Sequence, residues 1–481
     1  MDSKPNQLHI YFLPLLSPGH LIPLVDMARQ FARLGVKASI ITTPLNATNF
    51  SKTIERDKQL DIEISIRQVK FPSVEAGLPE GCENAASVTS PEMSLKFYKA
   101  LDLLQQPVEQ LLEEDRPDCL VADLFFPWAT EIAAKLRIPR LVFHGIGFFP
   151  LCVYHSLRTH KPHKKLESDS EAFIVPDLPG TIKLTKRQLP DHFQEVNHLT
   201  ELIDKAIKSE LKSYGVIVNS FHELEPAYSE HYRKVMGRKA WHVGPVSLCN
   251  RDNEDKAQRG RAASIHEKCL SWLSSKKPNS VLYVCFGSLS LFSTAQLLEI
   301  ANGLEASGLQ FIWVVRREKT YDGEKEEWLP EGFEKRMEEK GIIIRGWSPQ
   351  VLILEHEAVG GFMTHCGWNS MLEGVTAGVP MVTWPLFAEQ LFNEKFLTDG
   401  VRIGVAIGSE RWSRWFHEND VLVKSEAIQK AVSLVMVGEE AEEMRSRARA
   451  LGDMAKKAVE EGGSSYTDMN RLLEELRLNC P

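Results

Sequence analysis

Apolar residues in this chain fall into short runs, separated by polar turns and by stretches with helical spacing. Residues 8–16 form the first run and predict a buried strand. Ser17-Pro18-Gly19-His20 predicts a turn. Leu21, Leu24, Val25, Ala28, Phe31 and Ala32 then recur at helical intervals until Gly35 stops them. Residues 36–43 predict a second strand. Strand, glycine turn, helix, strand is a βαβ unit, the opening of a doubly wound sheet. Further strands are expected at 62–71, 119–122, 140–143 and 216–219, and helices at 91–112, 128–136 and 199–213. Residues 150–194 are rich in His, Lys and Pro and have weak periodicity. Loops and short helices lining a binding cleft are expected there.

The run Arg251-Asp252-Asn253-Glu254-Asp255-Lys256 and its continuation to Arg261 is charged and poor in apolar residues. This is the composition of a linker, here placed at 250–263. A second alternating set follows. Strands are expected at 280–286, 310–315, 341–345, 359–364 and 381–384, with a turn at Gly287-Ser288 and a helix at 295–306. Residues 440–478 read as helical, interrupted at Gly462-Gly463. The expected organisation is therefore α/β, with one doubly wound domain over 1–249 and another over 264–463.

Length and composition narrow the function. The chain has 481 residues, 43% of them hydrophobic, enough for two ordinary cores. Lysine and arginine number 57 against 65 acidic residues, a formal charge of −8. Bulk electrostatics therefore recruits neither nucleic acid nor an anionic membrane. The eight cysteines, Cys82, Cys119, Cys152, Cys249, Cys269, Cys285, Cys366 and Cys480, show no C-x-x-C or zinc-ligand spacing. Reduced thiols in a cytoplasmic protein are expected. The first apolar run is too short and wrongly flanked for a signal peptide, and no run reaches membrane-spanning length.

The most informative stretch is 347–390. The strand at 359–364 breaks at His365-Cys366-Gly367, and a helical pattern then runs to Ala377-Gly378-Val379-Pro380. Ser370-x-x-Glu373 matches a capping box, which predicts a helix start close to Asn369. Strand, tight turn and helix N-terminus make an anion site, because the first helical amides lack internal partners. His365, Asn369 and Ser370 are donors suited to phosphate oxygens. Trp347 and Trp368 offer flat indole faces to a base or sugar. Glu389-Gln390 closes the stretch. The implied ligand is a nucleoside diphosphate carrying a group rich in hydroxyls. His20 and Asp123 both stand at carboxyl ends of expected strands, where open α/β sheets place ligands. From position alone, His20 reads as a helix-start histidine hydrogen-bonded to backbone, and Asp123 reads equally as a helix cap or as a carboxylate that orients a histidine.

This stretch, with its W-S-P-Q opening, H-C-G-W-N-S centre and final Gln390, closely resembles the signature box of plant family 1 glycosyltransferases, which use UDP-sugars. The resemblance runs from Pro14 to Gly463. It is strongest to the group acting on phenolics, coumarins, flavonoids and triterpenoid or steroid aglycones. It implies the GT-B fold: two facing doubly wound, Rossmann-like domains with a cleft between them. The N-terminal domain would bind the acceptor, the C-terminal domain UDP-sugar, and the last segment, 464–481, would return to the N-terminal domain.

The resemblance also assigns roles. His20 would be the base that deprotonates the acceptor hydroxyl, and Asp123 would orient it. Trp347 would stack on uracil, Ser348 offer a backbone contact, and Gln350 and Glu373 bind ribose. His365, Asn369 and Ser370 would hold the phosphates. Trp368, Glu389 and Gln390 would hold the sugar. Ser288 is either an additional phosphate donor or a simple turn serine. Phe125, Phe126, Trp128, Phe148 and Phe149 follow strand ends. Most aromatic residues are core, yet Phe125, Phe126, Phe149 and His144 are candidates for an acceptor pocket. Three positions depart from the commonest box: Ser348 stands for Ala, Met371 for Thr and Glu389 for Asp. Gln390 usually goes with glucose, which implies inverting transfer from UDP-glucose to a lipophilic acceptor. Galactose, xylose and glucuronic acid remain alternatives. The resemblance implies no cofactor and no metal, and a monomer is expected. A dinucleotide-dependent oxidoreductase is disfavoured, since the nearest glycine motif, at 145–150, ends in Pro150. A non-catalytic UDP-sugar sensor is disfavoured by the presence of both His20 and Asp123. A serine hydrolase is disfavoured by the lack of G-x-S-x-G.

Overall fold

A computed structural model describes residues 7–195, 198–260, 266–316, 328–413 and 422–479. Residues 261–263 of the expected linker and residues 480–481, including Cys480, lie outside the described residues. In chain order the first strands are β1 (His9–Leu13), β2 (Lys37–Thr42), β3 (Ile64–Gln68), β4 (Cys119–Asp123) and β5 (Arg140–Phe143). An antiparallel hairpin follows, β6 (Ala172–Ile174) with β7 (Lys183–Thr185), and then β8 (Gly215–Val218) and β9 (Ala240–His242). Two compact units form. One comprises residues 1–148, 195–261 and 456–481; the other comprises 149–194 and 262–455.

The first unit is built on a parallel sheet in the order β3-β2-β1-β4-β5-β8-β9. Its central strands are covered on both faces, which is why they read as continuous apolar runs. Ile10, Phe12, Val121, Leu141 and Phe143 are all buried in one core cluster. The last helix, Ser464–Asn479, adds Met469, Leu472, Leu473 and Leu476 to that cluster. The helix after β1 starts at Pro18, not after His20. Pro suits the first helical position because its missing N–H has no partner there anyway. His20 therefore belongs to a helical first turn. The helix expected at 91–112 is two, Pro91–Leu103 and Gln105–Asp115. Pro107 cannot donate to the Leu103 carbonyl, so the ladder breaks there.

Two expected boundaries change. The charged run at 250–263 is not a solvated linker, for its residues up to Arg259 dock on the first unit. Asp252 caps the helix Asn253–Gln258. The Arg29 guanidinium, fully buried, donates to Asp57, to Asp255 at 2.9 Å and to Asn250 at 2.6 Å. Arg259 reaches Asp26 at 2.6 Å. The sequence shows the charges but not the opposite charges 200 residues away. Residues 149–194, expected within the first domain, pack instead with the second unit. Phe149 lies against Phe396 at 5.0 Å and Tyr154 against Phe392 at 5.3 Å, ring centre to ring centre. Arg187 pairs with Glu410, and its carbonyl accepts from the Trp412 amide.

The second unit carries β10 (Val281–Cys285), β11 (Gln310–Val315), β12 (Gly341–Arg345), β13 (Val359–Thr364), β14 (Met381–Thr383) and β15 (Gly404–Ala406). They form a parallel sheet in the order β12-β11-β10-β13-β14-β15. Leu282, Val284, Trp313, Met363 and Trp384 lie in its main core cluster. No helix among the described residues is long and apolar enough to cross a membrane.

Candidate active site

In both sheets the strand order reverses beside the first strand: between β1 and β4 in one unit, between β10 and β13 in the other. Such a reversal leaves a crevice beyond the carboxyl ends of the strands, the usual ligand position in open α/β sheets. The candidate residues collect at these two places.

In the first unit, His20 follows β1 and Asp123 ends β4. The His20 Nδ1 and an Asp123 carboxylate oxygen are 2.7 Å apart. Asp123 is fully buried, while a fifth of the His20 side chain is exposed. The other Asp123 oxygen accepts from the Phe125 amide at 3.1 Å. The carboxylate therefore accepts a hydrogen bond from Nδ1–H and leaves the basic lone pair on Nε2. Phe125 and Phe143 meet the imidazole edge-on, with ring centres 6.0 Å and 6.4 Å away. Tyr98 extends this aromatic wall, 5.9 Å from Phe125. Burial, with Asp123 nearby, pushes the Tyr98 phenol up to about 12, so it stays neutral. Gly145, at φ +75°, closes the other approach; a Cβ there would stand 3.0 Å from the imidazole.

Of the acceptor-pocket candidates, Phe125 is the one brought beside His20. Phe126 is fully buried against Trp128, and Phe149 is fully buried in the second unit. Both are core residues, the outcome that most aromatic positions reach. His144 is buried too, with its Nε2 2.9 Å from Glu210. That partner, together with Tyr232, holds the Glu210 carboxyl below its usual range despite burial. Tyr98 and Gly145 were missed in the sequence. Tyr98 follows Phe97 on the helix Pro91–Leu103, but nothing local says which strand end that helix covers.

In the second unit, Ser288 stands two residues after the Phe286 that follows β10, and His365 follows β13. The His365 imidazole lies in a slot between Gly287 and Gly367. A Cβ on either would come within 2.6 Å of its Nε2. Desolvation lowers the His365 pKa to about 4, so the ring is neutral across the physiological range. Cys366 takes a left-handed φ of +63°, uncommon for a residue with a Cβ. Its carbonyl is held by the Asn393 amide at 2.8 Å.

The helix Trp368–Ala377 then begins with Gly367 as N-cap, and no side chain caps it. The expected capping box is absent. Ser370 lies inside the first turn, where its hydroxyl accepts from Gln350 at 3.2 Å, and Gln350 also donates to Glu373 at 2.7 Å. Gln350 is fixed in turn by the Tyr283 hydroxyl at 3.3 Å, and Tyr283 meets Ser348 at 2.8 Å. Ser348, Gln350, Ser370 and Glu373 are thus brought together, with Trp347 one residue before Ser348. No side chain caps this helix, and a helix N-terminus of that kind, with its main-chain N–H groups and positive dipole end, favours an anion. Trp368 is 2% exposed, whereas Trp347 is half-buried, so of the two indoles Trp347 is the more accessible.

Glu389 follows Ala388, another left-handed residue at φ +53°. Its carboxylate accepts from Asn393 at 3.2 Å. The Gln390 carbonyl oxygen accepts from the amides of Leu386 and Phe387, at 2.9 and 3.0 Å. This orientation leaves the Gln390 amide as donor and the Glu389 carboxylate as acceptor, a complementary pair for adjacent hydroxyls.

Residues 99–408 match the family described as UDP-glucoronosyl and UDP-glucosyl transferase. The chain is 58% identical over 474 residues to a scopoletin glucosyltransferase of Nicotiana tabacum, covering 98% of each. A UDP-glucose flavonoid 3-O-glucosyltransferase of Fragaria ananassa is 57% identical, over 99% of this chain and 98% of its own. The crystal structure of a Glycyrrhiza uralensis glycosyltransferase complexed with glycyrrhetinic acid 3-O-monoglucuronide superposes with a TM-score of 0.93 at 45% identity. That likeness covers 98% of this chain and 96% of that one.

The chain is a plant family 1 glycosyltransferase.

Its fold is GT-B, and its activity is that of a UDP-glycosyltransferase. Glycosyltransferases of this kind must stabilise a departing diphosphate. The His365 slot makes one expectation specific. Because the folded ring resists protonation, the unfolded chain binds the extra proton between its ordinary pKa and about 4. The stability tied to His365 is complete above pH ~6.5 and is lost as pH falls toward 4. Replacing His365 by Asn should flatten the melting-temperature profile over that window. A profile as steep as wild type would contradict the neutral ring.

Proposed function

We propose that the enzyme transfers glucose from UDP-glucose, with inversion, to a hydroxyl of a small lipophilic plant metabolite: a flavonoid, coumarin, other phenolic or triterpenoid aglycone. The observation that carries this reading is the 2.7 Å contact between His20 and a buried carboxylate at the reversal point of the first sheet. His20 Nε2 takes the acceptor proton, and Asp123 stabilises the imidazolium that forms. The oxygen attacks the anomeric carbon from the face opposite UDP, the glycosidic bond to phosphate breaks, and a β-O-glucoside forms. In the second unit, Trp347 stacks on uracil and Gln350 and Glu373 bind ribose. The neutral His365, Asn369, Ser370 and Ser288 meet the phosphates, and Glu389 and Gln390 the sugar. Amides at the helix end carry the phosphate charge, so no metal enters the proposal. The setting proposed is a cytoplasmic monomer; the seven cysteines among the described residues are buried free thiols, in keeping with a reducing compartment. The names of the scopoletin and flavonoid glucosyltransferases favour phenolic acceptors, and the glycyrrhetinic acid complex keeps triterpenoids among them.

A panel of aglycones incubated with labelled UDP-glucose, with and without EDTA, tests this. We expect a phenolic β-glucoside, read from the anomeric proton coupling, at rates insensitive to EDTA. An α-linked product would overturn inversion. A clear preference for UDP-galactose, UDP-xylose or UDP-glucuronic acid would overturn the donor.

A further inference from the structure

Arg140 opens β5 and is 2% exposed. Its guanidinium has few reasons to be buried unless it holds something, because burying a cation costs several kcal/mol (~, before pairing). One Nη donates to the main-chain carbonyl of Asp123 at 2.9 Å. The other donates to the hydroxyls of Thr130 and of Ser209, the latter at 2.8 Å. Those hydroxyls are themselves oriented. Ser209 donates to the Pro127 carbonyl at 2.6 Å, and Thr130 to the Ser209 carbonyl at 3.2 Å. Arg140 therefore grips the turn 123–127 at both ends, directly at Asp123 and through Ser209 at Pro127. The His20 partner sits on the first residue of that turn.

The charge matters as well as the grip. Asp123 and Glu210 are the carboxylates that favour the buried cation, and although desolvation lowers the Arg140 pKa to about 10 it remains charged at neutral pH. Each of these carboxylates also faces a histidine, Asp123 facing His20 and Glu210 facing His144. One guanidinium thus stands between two histidine–carboxylate pairs.

We propose that Arg140 is a positioning residue for the His20–Asp123 pair, clamping the turn that carries the carboxylate and offsetting part of its negative charge. The inference rests on His20 acting as the base. The offset weakens the pull of Asp123 on the imidazolium proton and so keeps His20 available as a neutral base at lower pH. The groups that face His20 and Asp123 are Tyr98 from the helix Pro91–Leu103, neutral until about 12, and Arg140, with His144 and Glu210 as the second pair.

The test compares Arg140→Met, Arg140→Lys and the double variant Thr130→Val/Ser209→Ala, each checked for a wild-type melting transition. In Arg140→Met we expect kcat to fall roughly 10- to 100-fold with KM for UDP-glucose unchanged. The acidic limb of kcat/KM should move up by on the order of one pH unit. Arg140→Lys should restore the limb but not all of kcat. The double variant keeps the charge and the direct bond to the Asp123 carbonyl but loses the grip at Pro127, so it should lower kcat several-fold and leave the limb in place. If Arg140→Met does not fold, the lysine and double variants decide. A folded variant with wild-type kcat and pH profile overturns the proposal. His20→Ala run alongside separates the two readings. If it too keeps full activity, the base assignment fails; if it is inactive while the Arg140 and double variants are unchanged, the positioning role alone fails.

Discussion

His20→Ala is expected to lose transfer by about three orders of magnitude while UDP still binds. General-base catalysis is the contribution removed, and nothing else at this position replaces it. Asp123 is fully buried and its oxygens are committed to the imidazole and to the Phe125 amide. Being fully buried, it offers no accessible oxygen to an incoming hydroxyl. Gly145 and the edges of Phe125 and Phe143 supply no proton acceptor either. The candidate UDP ligands all belong to the other unit, so calorimetric titration with UDP should give the wild-type affinity. The readouts are single-turnover transfer to a phenolic acceptor and the UDP isotherm. Undiminished transfer in the folded variant would remove the proposed base. Loss of UDP binding together with transfer would show that the histidine acts structurally.

Gly287→Ala is expected to weaken UDP binding by tenfold or more (~1.4 kcal/mol), leaving the first unit's pair of His20 and Asp123 untouched. Two effects add. The backbone at φ +77° lies in the left-handed region, which costs a residue with a Cβ about 1 kcal/mol. The new methyl would also stand 2.6 Å from His365 Nε2, well inside contact distance. Gly367 borders the same ring atom so tightly that a Cβ there too would stand 2.6 Å from it, which leaves the imidazole little room to shift. The imidazole must then leave its slot, and the turn through Cys366 that leads into the helix amides moves with it. An unchanged UDP isotherm in this variant would mean that the His365 slot does not shape the phosphate site.

How much of this was legible in the sequence depended on length and locality. Strands of five or six apolar residues, such as β1, β10 and β13, could be read within a few residues because parallel strands buried on both faces are continuous runs. β9 and β15, three residues each, are too short to show a period and were missed. Capping was misread where two chemistries share one pattern: Ser370 and Glu373 have capping-box spacing, but the hydrogen bonds they make are to Gln350. Residues 149–194 were assigned to the wrong unit because chain order was the only guide and the aromatic contacts with Phe392 and Phe396 are long-range. Proximity of His20 and Asp123, separated by 103 positions, is a product of the sheet order and cannot be seen in local pattern. Arg140 went unnoticed for the same reason, since an arginine opening a strand carries no signal of what lies beneath it.

The core of the first unit is assembled from both ends of the polypeptide, with Met469, Leu472, Leu473 and Leu476 seated beside Ile10 and Phe12. During vectorial synthesis those amino-terminal strands emerge from the ribosome early and wait for more than four hundred codons before their last covering helix is translated. Apolar surface stays wet throughout that interval, a demand for chaperone protection that a domain drawn from one contiguous segment would not impose. It also means that a fragment ending at the interdomain crossing cannot serve as a faithful miniature of the amino-terminal half.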